Sequence, residues 1–207
     1  GEDIVGEVTN NNFGLLVSLS ADASNIAKGA TFNHENRDDS GHVVVYRINN
    51  EGSSWERLVQ SIQGDNVGDW FGMSVNLSPD GNTLAIGSPG FWEDADRSGY
   101  VRVFSLKGDD ILGTDTWKQI GQDIIGEANG DQFGWSLSIS DDGKTIAVGA
   151  WCNDGNGDDS GHVRVYQLND SGSSWIQLGE DIDGEAAYDS SGWSVSLSAD
   201  GKTVAIG

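Results

Sequence analysis

The chain has 207 residues, with 33 acidic against 11 basic side chains and a net charge of −22. Nucleic acid and anionic membrane surfaces are bound through Lys and Arg, so this balance argues against both, and no apolar run approaches the roughly 20 residues of a membrane helix. Glycine (30 residues) is abundant, proline (2) is scarce, and a lone cysteine, Cys152, excludes an internal disulfide and the paired-cysteine zinc spacings.

From the amino end, residues 1–12 read as the end of an outer strand and its loop, because Gly1 to Gly6 matches Gly121 to Gly126 and Gly179 to Gly184. Residues 13–70, 71–132 and 133–191 are three complete repeats, and 192–207 begin a fourth. Each repeat opens at Phe13-Gly14, Phe71-Gly72, Phe133-Gly134 or Ser191-Gly192, spaced 58, 62 and 58 residues apart. A Ser-Gly marker ending at Gly41, Gly99 or Gly161 follows 27 residues later, and then Trp55, Trp117 or Trp175. The length difference is a four-residue insertion between Leu106 and Trp117, a change expected of a surface turn.

Four strands are expected per unit. The first alternates strictly, as in Trp135, Leu137 and Ile139 against Ser136 and Ser138, which predicts an apolar face and a small hydroxyl face suited to close packing of a neighbouring sheet. A Ser-x-Asp-Gly turn such as Ser140 to Gly143 leads to a second short strand. The third runs from Val43, Val101 or Val163. The fourth starts at the Trp and continues through Leu58, Ile120 or Leu178 towards Ile62, Ile124 or Ile182. The expected fold is therefore all-β: a β-propeller of four-stranded antiparallel blades, about three and a half of them in this chain.

These markers resemble the FG-GAP repeats of the integrin α-subunit propeller, with Gly29-Ala30-Thr31, Gly87-Ser88-Pro89 and Gly149-Ala150-Trp151 at the family's Gly-Ala-Pro. The Ser78-Pro79-Asp80-Gly81 turn is also similar to WD40-like blades. The resemblance implies a ring of about seven blades and a non-enzymatic, extracellular or cell-surface adhesion or recognition module. The family's calcium hairpin is contracted here to Ser-x-Asp-Gly, with too few ligands. In unit one, Ala23 replaces the turn glycine and Lys28 stands where Ile86, Val148 and Ile206 do.

Catalytic constellations are thin. His42 and His162 share a repeat position with Tyr100 and read as packing residues, and no GxSxG, HExxH or GxxxxGK[ST] motif occurs. Loops joining second to third strands and fourth to first strands are expected to share one rim, and they hold 16 of the 33 acids against Arg37 and Arg97. Within them Asn36, Asp94 and Asn156 are equivalent, as are Asp38, Asp96 and Asp158. With Asp154, the set Asp154, Asn156 and Asp158 forms the best oxygen cluster for a hard cation, and Ca2+ is the cofactor it would suit. The competing reading is that these side chains cap their own turns.

Phe32, Phe91, Trp92, Trp151 and Tyr188 on the same loops are the candidate ligand-binding aromatics, as stacking surfaces for sugars or cationic groups, against the plainer role of filling gaps between blades. The expected partner is a protein or glycan, and the alternative is a secreted coat, filament or appendage whose blades bind further copies. Because half a blade stands at each end, the chain is expected to be part of a longer repeat protein or to be completed by a second chain.

Overall fold

A computed structural model describes residues 3–4, 12–32, 39–49, 51–58, 61–90, 97–108 and 115–207. Among these residues there is no α-helix, and so no helix long and apolar enough to cross a membrane. The strands form successive antiparallel sheets. The first contains β1 (Val17–Leu19), β2 (Asn25–Ala30), β3 (His42–Ile48), β4 (Trp55–Arg57) and β5 (Ile62–Gln63). The second contains β6 (Ser74–Leu77), β7 (Thr83–Ser88), β8 (Tyr100–Gly108), β9 (Asp115–Gln119) and β10 (Ile124–Ile125). The third contains β11 (Ser136–Ile139), β12 (Thr145–Ala150), β13 (His162–Leu168), β14 (Trp175–Gln177) and β15 (Ile182–Asp183), and β16 (Val195–Leu197) pairs with β17 (Val204–Ile206) in a two-stranded start of a fourth. These are propeller blades, open at both ends of the series.

The fourth strand expected from each Trp to the following Ile is not continuous. It is split into two pieces that both pair with the third strand. Tyr166 faces Gln177 but Val163 faces Ile182, so the outer strand carries two extra residues between the pairs, and blades one and two repeat this offset. Gly179 and Gly121, with φ of 73° and 70°, supply the left-handed step of this bulge in blades three and two.

The Ser-x-Asp turns are alike in all four units. In the third, Ser140 Oγ donates to Asp142 Oδ1 at 2.7 Å, while the backbone N–H groups of Lys144 and Thr145 donate to Asp142 Oδ1 and Ser140 Oγ. Asp22, Asp80 and Asp200 do the same in their own turns. Ala23 takes the glycine's place at φ 55°.

Two apolar clusters form the core, one at each interior blade junction. Between blades one and two lie Val43, Val45 and Phe71 against Val75, Leu77 and Ile86. Between blades two and three lie Val101, Val103 and Phe133 against Leu137, Ile139 and Val148.

The alternating serines do more than make room. Ser18 Oγ accepts from Leu77 N–H at 2.9 Å, Asn76 Oδ1 from Ile139 N–H at 2.9 Å, and Ser138 Oγ from Leu197 N–H at 3.0 Å. Each satisfies a donor on the next blade's innermost strand. Ser74 and Ser136 hydroxyls donate to the Gly134 and Gly192 carbonyls at 2.7 Å.

The Phe-Gly and Gly-Ala markers meet at the same junctions. A Cβ added to Gly29, Gly87 or Gly149 would lie 2.2, 2.1 or 2.1 Å from the carbonyl oxygen of Gly72, Gly134 or Gly192, so neighbouring backbones approach to a distance that admits no side chain.

Candidate functional site

The two classes of loop expected to share a rim lie side by side. Tyr188 N–H donates to Asp158 O and Ser190 N–H to Asp159 O, which ties the loop after β12 to the loop before β16; Gly130 N–H donates to Arg97 O one blade earlier. The acidic loops of blade three thus form one surface.

Of the expected metal-binding residues on that surface, Asn156 and Asp158 bond across to the neighbouring loop, and Asp154 closes its own. Asp154 Oδ1 accepts from Asp159 N–H at 2.8 Å, Asn156 Nδ2 donates to the Gly184 and Glu185 carbonyls at 2.8 and 3.1 Å, and Asp158 Oδ2 accepts from Tyr188 OH at 3.3 Å. Their equivalents Asn36, Asp38, Asp94 and Asp96 lie outside the described residues, as do Phe91 and Trp92.

The remaining candidate aromatics divide. Phe32 packs edge-on against Trp70, with ring centroids 5.3 Å apart. Trp151 joins Trp135 and Trp193 in a three-indole cluster with centroids 4.9 to 5.6 Å apart. Tyr188 is 71% exposed and Trp193 is 50% exposed. Trp135 and Trp193 open equivalent first strands, and only their alternation with serine marked them in the sequence. Lys28 places its Nζ 5.3 Å from the Phe13 ring centroid and 3.5 Å from the Ile4 carbonyl.

A repeated ionic brace went unread in the sequence. In blade three the Arg164 guanidinium grips Asp181 with Nε to Oδ1 at 2.7 Å and Nη2 to Oδ2 at 2.6 Å, and Nη2 also reaches Glu127 Oε2. In blade two Arg102 does the same with Asp123 and Asp65. Gln177 and Gln119 each add an amide donor at 2.7 Å to the gripped aspartate. Asp123 and Asp181 are the last residues of the offset stretch, just before Ile124 and Ile182 resume pairing, and bond the arginine from there. Desolvation acts to raise both aspartates, and the charge-assisted bonds to arginine and the glutamine amides outweigh it and hold them below the ordinary 3.8.

Beside each brace sits a buried carboxylate. Asp69 accepts from Tyr100 OH at 2.9 Å and is paired with Arg97, and a cleft of about 610 Å³ opens there, lined by Asn66, Arg97, Tyr100, Arg102 and Asn129 among others. Its counterpart Asp131 is met by Asn153 Nδ2 at 2.7 Å, and desolvation pushes its carboxyl above the ordinary value.

His162 stands where Tyr100 stands. Its side chain is 1% exposed, neither ring nitrogen has a hydrogen-bond partner, and Nδ1 lies 3.8 Å from Glu127 Oε1 and 3.9 Å from Asp181 Oδ2. Burial, then the Arg164 charge, lower its pKa, so the ring is neutral at pH 7. Cys152 has its thiol pushed up to about 12 by burial and by Asp159, Asp131 and Asp154, which keeps it protonated and unreactive.

Residues 126–166 match the family model described as the FG-GAP repeat. None of the curated proteins matches the sequence. Among solved structures, the chain is similar to a putative 6-phosphogluconolactonase from Bacteroides uniformis at 14% identity and TM-score 0.58, covering 92% of this chain and 46% of that one. It is also similar to Sqt1 from Chaetomium thermophilum at 16% identity and TM-score 0.54, covering 92% and 40%, and to hydrazine synthase from Kuenenia stuttgartiensis at 13% identity and TM-score 0.51, covering 92% and 57%. The chain therefore spans roughly half the length of these structures, and at such identities the likeness is one of fold. Blades, junctions and matched segment agree: the chain has a β-propeller-type fold, and its residues 126–166 match the FG-GAP repeat.

Proposed function

We propose that this chain is a non-enzymatic recognition module of the cell surface or extracellular space that binds a protein or glycan partner through the acidic loop face of blades three and four. The observation that carries this reading is Tyr188, 71% exposed on a loop tied to Asp154, Asp158 and Asp159, with the part-exposed Trp193 on the strand that follows. An exposed ring next to carboxylate acceptors suits the apolar face and hydroxyls of a sugar, or a cationic side chain. Binding to immobilised glycans and proteins should be lost in Tyr188→Ala and Trp193→Ala while the melting temperature stays within a few degrees of the parent. Binding that both variants retain would remove this face from consideration.

A non-enzymatic role is consistent with a His162 ring that is buried and neutral at pH 7 and with a protonated Cys152 thiol. The lactonase named among the structural neighbours shares a fold with this chain at 14% identity, which does not carry its chemistry across.

The second reading, blades that associate with other blades, is favoured by exposed apolar side chains on the first and third blades. Val17 and Leu19 are half exposed, whereas their equivalents Val75, Leu77, Leu137 and Ile139 are buried against the preceding blade. Ile182 is 39% exposed where Ile124, covered by the following blade, is 3% exposed.

A further inference from the structure

We propose that Glu127, His162 and Asp181 form a binding site for a divalent transition-metal ion of the Zn2+ type at the junction of blades two and three. His162 Nδ1, a Glu127 oxygen and an Asp181 oxygen all lie within 4.8 Å of one another. Carboxylates so placed are common without a metal, and the independent observation here is the histidine. It is fully enclosed, points Nδ1 between the two carboxylates, and has no donor or acceptor for either nitrogen. A buried polar ring without partners is costly, and a ligand that uses its lone pair removes that cost.

The donor set selects the ion. One imidazole nitrogen and two carboxylate oxygens suit Zn2+ and its neighbours, with water completing the sphere, whereas Ca2+ takes oxygen alone. Metal–donor bonds near 2.1 Å in a tetrahedral sphere set the donors about 3.4 Å apart, so pairs as far as 4.8 Å apart must close by up to about 1.4 Å. Glu127, 43% exposed, has room to move and gives the ion its route from solvent.

Arg164 is compatible with this site. It bonds Glu127 through Oε2 and Asp181 through both oxygens, and each carboxylate oxygen offers further lone pairs, so the guanidinium acts as the outer partner that orients ligating oxygens. Asn153, 2.9 Å from Glu127 Oε1, plays the same part on the other flank.

The repeat supplies an internal comparison. Blade two has the arginine and both carboxylates, Asp65 and Asp123, but Tyr100 in place of the histidine, and its hydroxyl is used on Asp69. Blade one has His42, but Val44 and Ser61 replace the arginine and aspartate. Among the described residues, only blade three combines all the parts. The assignment stands apart from the loop-face reading, because neither Tyr188 nor Trp193 belongs to it.

The test is titration of the 207-residue chain with ZnCl2, followed by calorimetry and thermal melting, with CaCl2 and MgCl2 as hard-ion comparators. The expected result is one saturable Zn2+ site that raises the melting temperature. His162→Tyr, which installs the residue of blade two, should abolish it, and Glu127→Gln should weaken it at least tenfold. Saturable binding that His162→Tyr leaves intact, or no binding by the parent, overturns the proposal. Should His162→Tyr fail to fold, nitrogen NMR of the parent decides: Zn2+ must shift Nδ1 of His162, and an unmoved resonance overturns the site.

Discussion

Asn76 and Ser138 occupy the same place in successive blades, each accepting a hydrogen bond from the backbone N–H of an isoleucine or leucine on the next innermost strand. Removing the acceptor leaves a part-buried donor unpaired, so Asn76→Ala and Ser138→Ala should each lower stability by about 1–3 kcal/mol in urea denaturation. Conversion of exposed Ser171 to Ala should leave it unchanged within about 0.5 kcal/mol. Gly149→Ala is expected to be at least as damaging as either acceptor deletion, because its new methyl meets the Gly192 carbonyl rather than a side chain that can swing away.

His162 gives a pH signature at the same scale. Its folded pKa lies below the ordinary 6.5, so between those values the unfolded chain binds more protons than the folded one. Its contribution to stability is thus complete above pH 6.5 and declines as the pH falls through the folded value. Denaturation measured across this window should show a decline that His162→Tyr flattens.

At the level of elements, the outer-strand bulge links shape to charge. It shifts the pairing by two residues and thereby presents Asp123 and Asp181 to arginines of the third strand. Asp181→Asn should loosen the brace and destabilise blade three by about 1–3 kcal/mol at pH 7, with the difference from the parent shrinking as the pH drops below about 4. The sign follows from Asp181's lowered pKa: ionised, it stabilises the fold above the ordinary 3.8, and that contribution is lost as the pH falls through its folded value.

The blades were legible in the sequence because glycine markers, serine alternation and Asp-Gly turns each report a local backbone requirement. The brace was not, because Arg164 alternates along its strand like any solvated charge, while Glu127 and Asp181 come from different units and meet only when blades stack. The repeated offsets of Arg102 to Arg164 and Asp65 to Glu127, 62 residues in both cases, carried the available signal. His162 read as a packing position, and it is buried. Its unpartnered nitrogens depend on neighbours that periodicity does not reveal.

For the whole molecule, the open blade faces and the net charge of −22 act against each other. Half-exposed Leu15, Val17 and Leu19 favour association with another blade, and like charge opposes it until salt screens it over roughly 8 Å at physiological ionic strength. Light scattering should therefore show association that grows with NaCl and concentration. Replacing Val17 with Asp should suppress it, while a 207-residue monomer at all salt concentrations would exclude these faces as contact surfaces.

The glycine-to-glycine approach at each junction has a bearing on how such a chain can change. Since main chain meets main chain there, the fit between neighbours depends little on which side chains either blade carries elsewhere. Duplicating residues 71–132 in frame would add a copy already shaped for the blades on both sides, and its loops could then diverge without disturbing the stack. The molecule is in this sense a row of interchangeable seats, in which variety accumulates at the rim while the joints stay uniform.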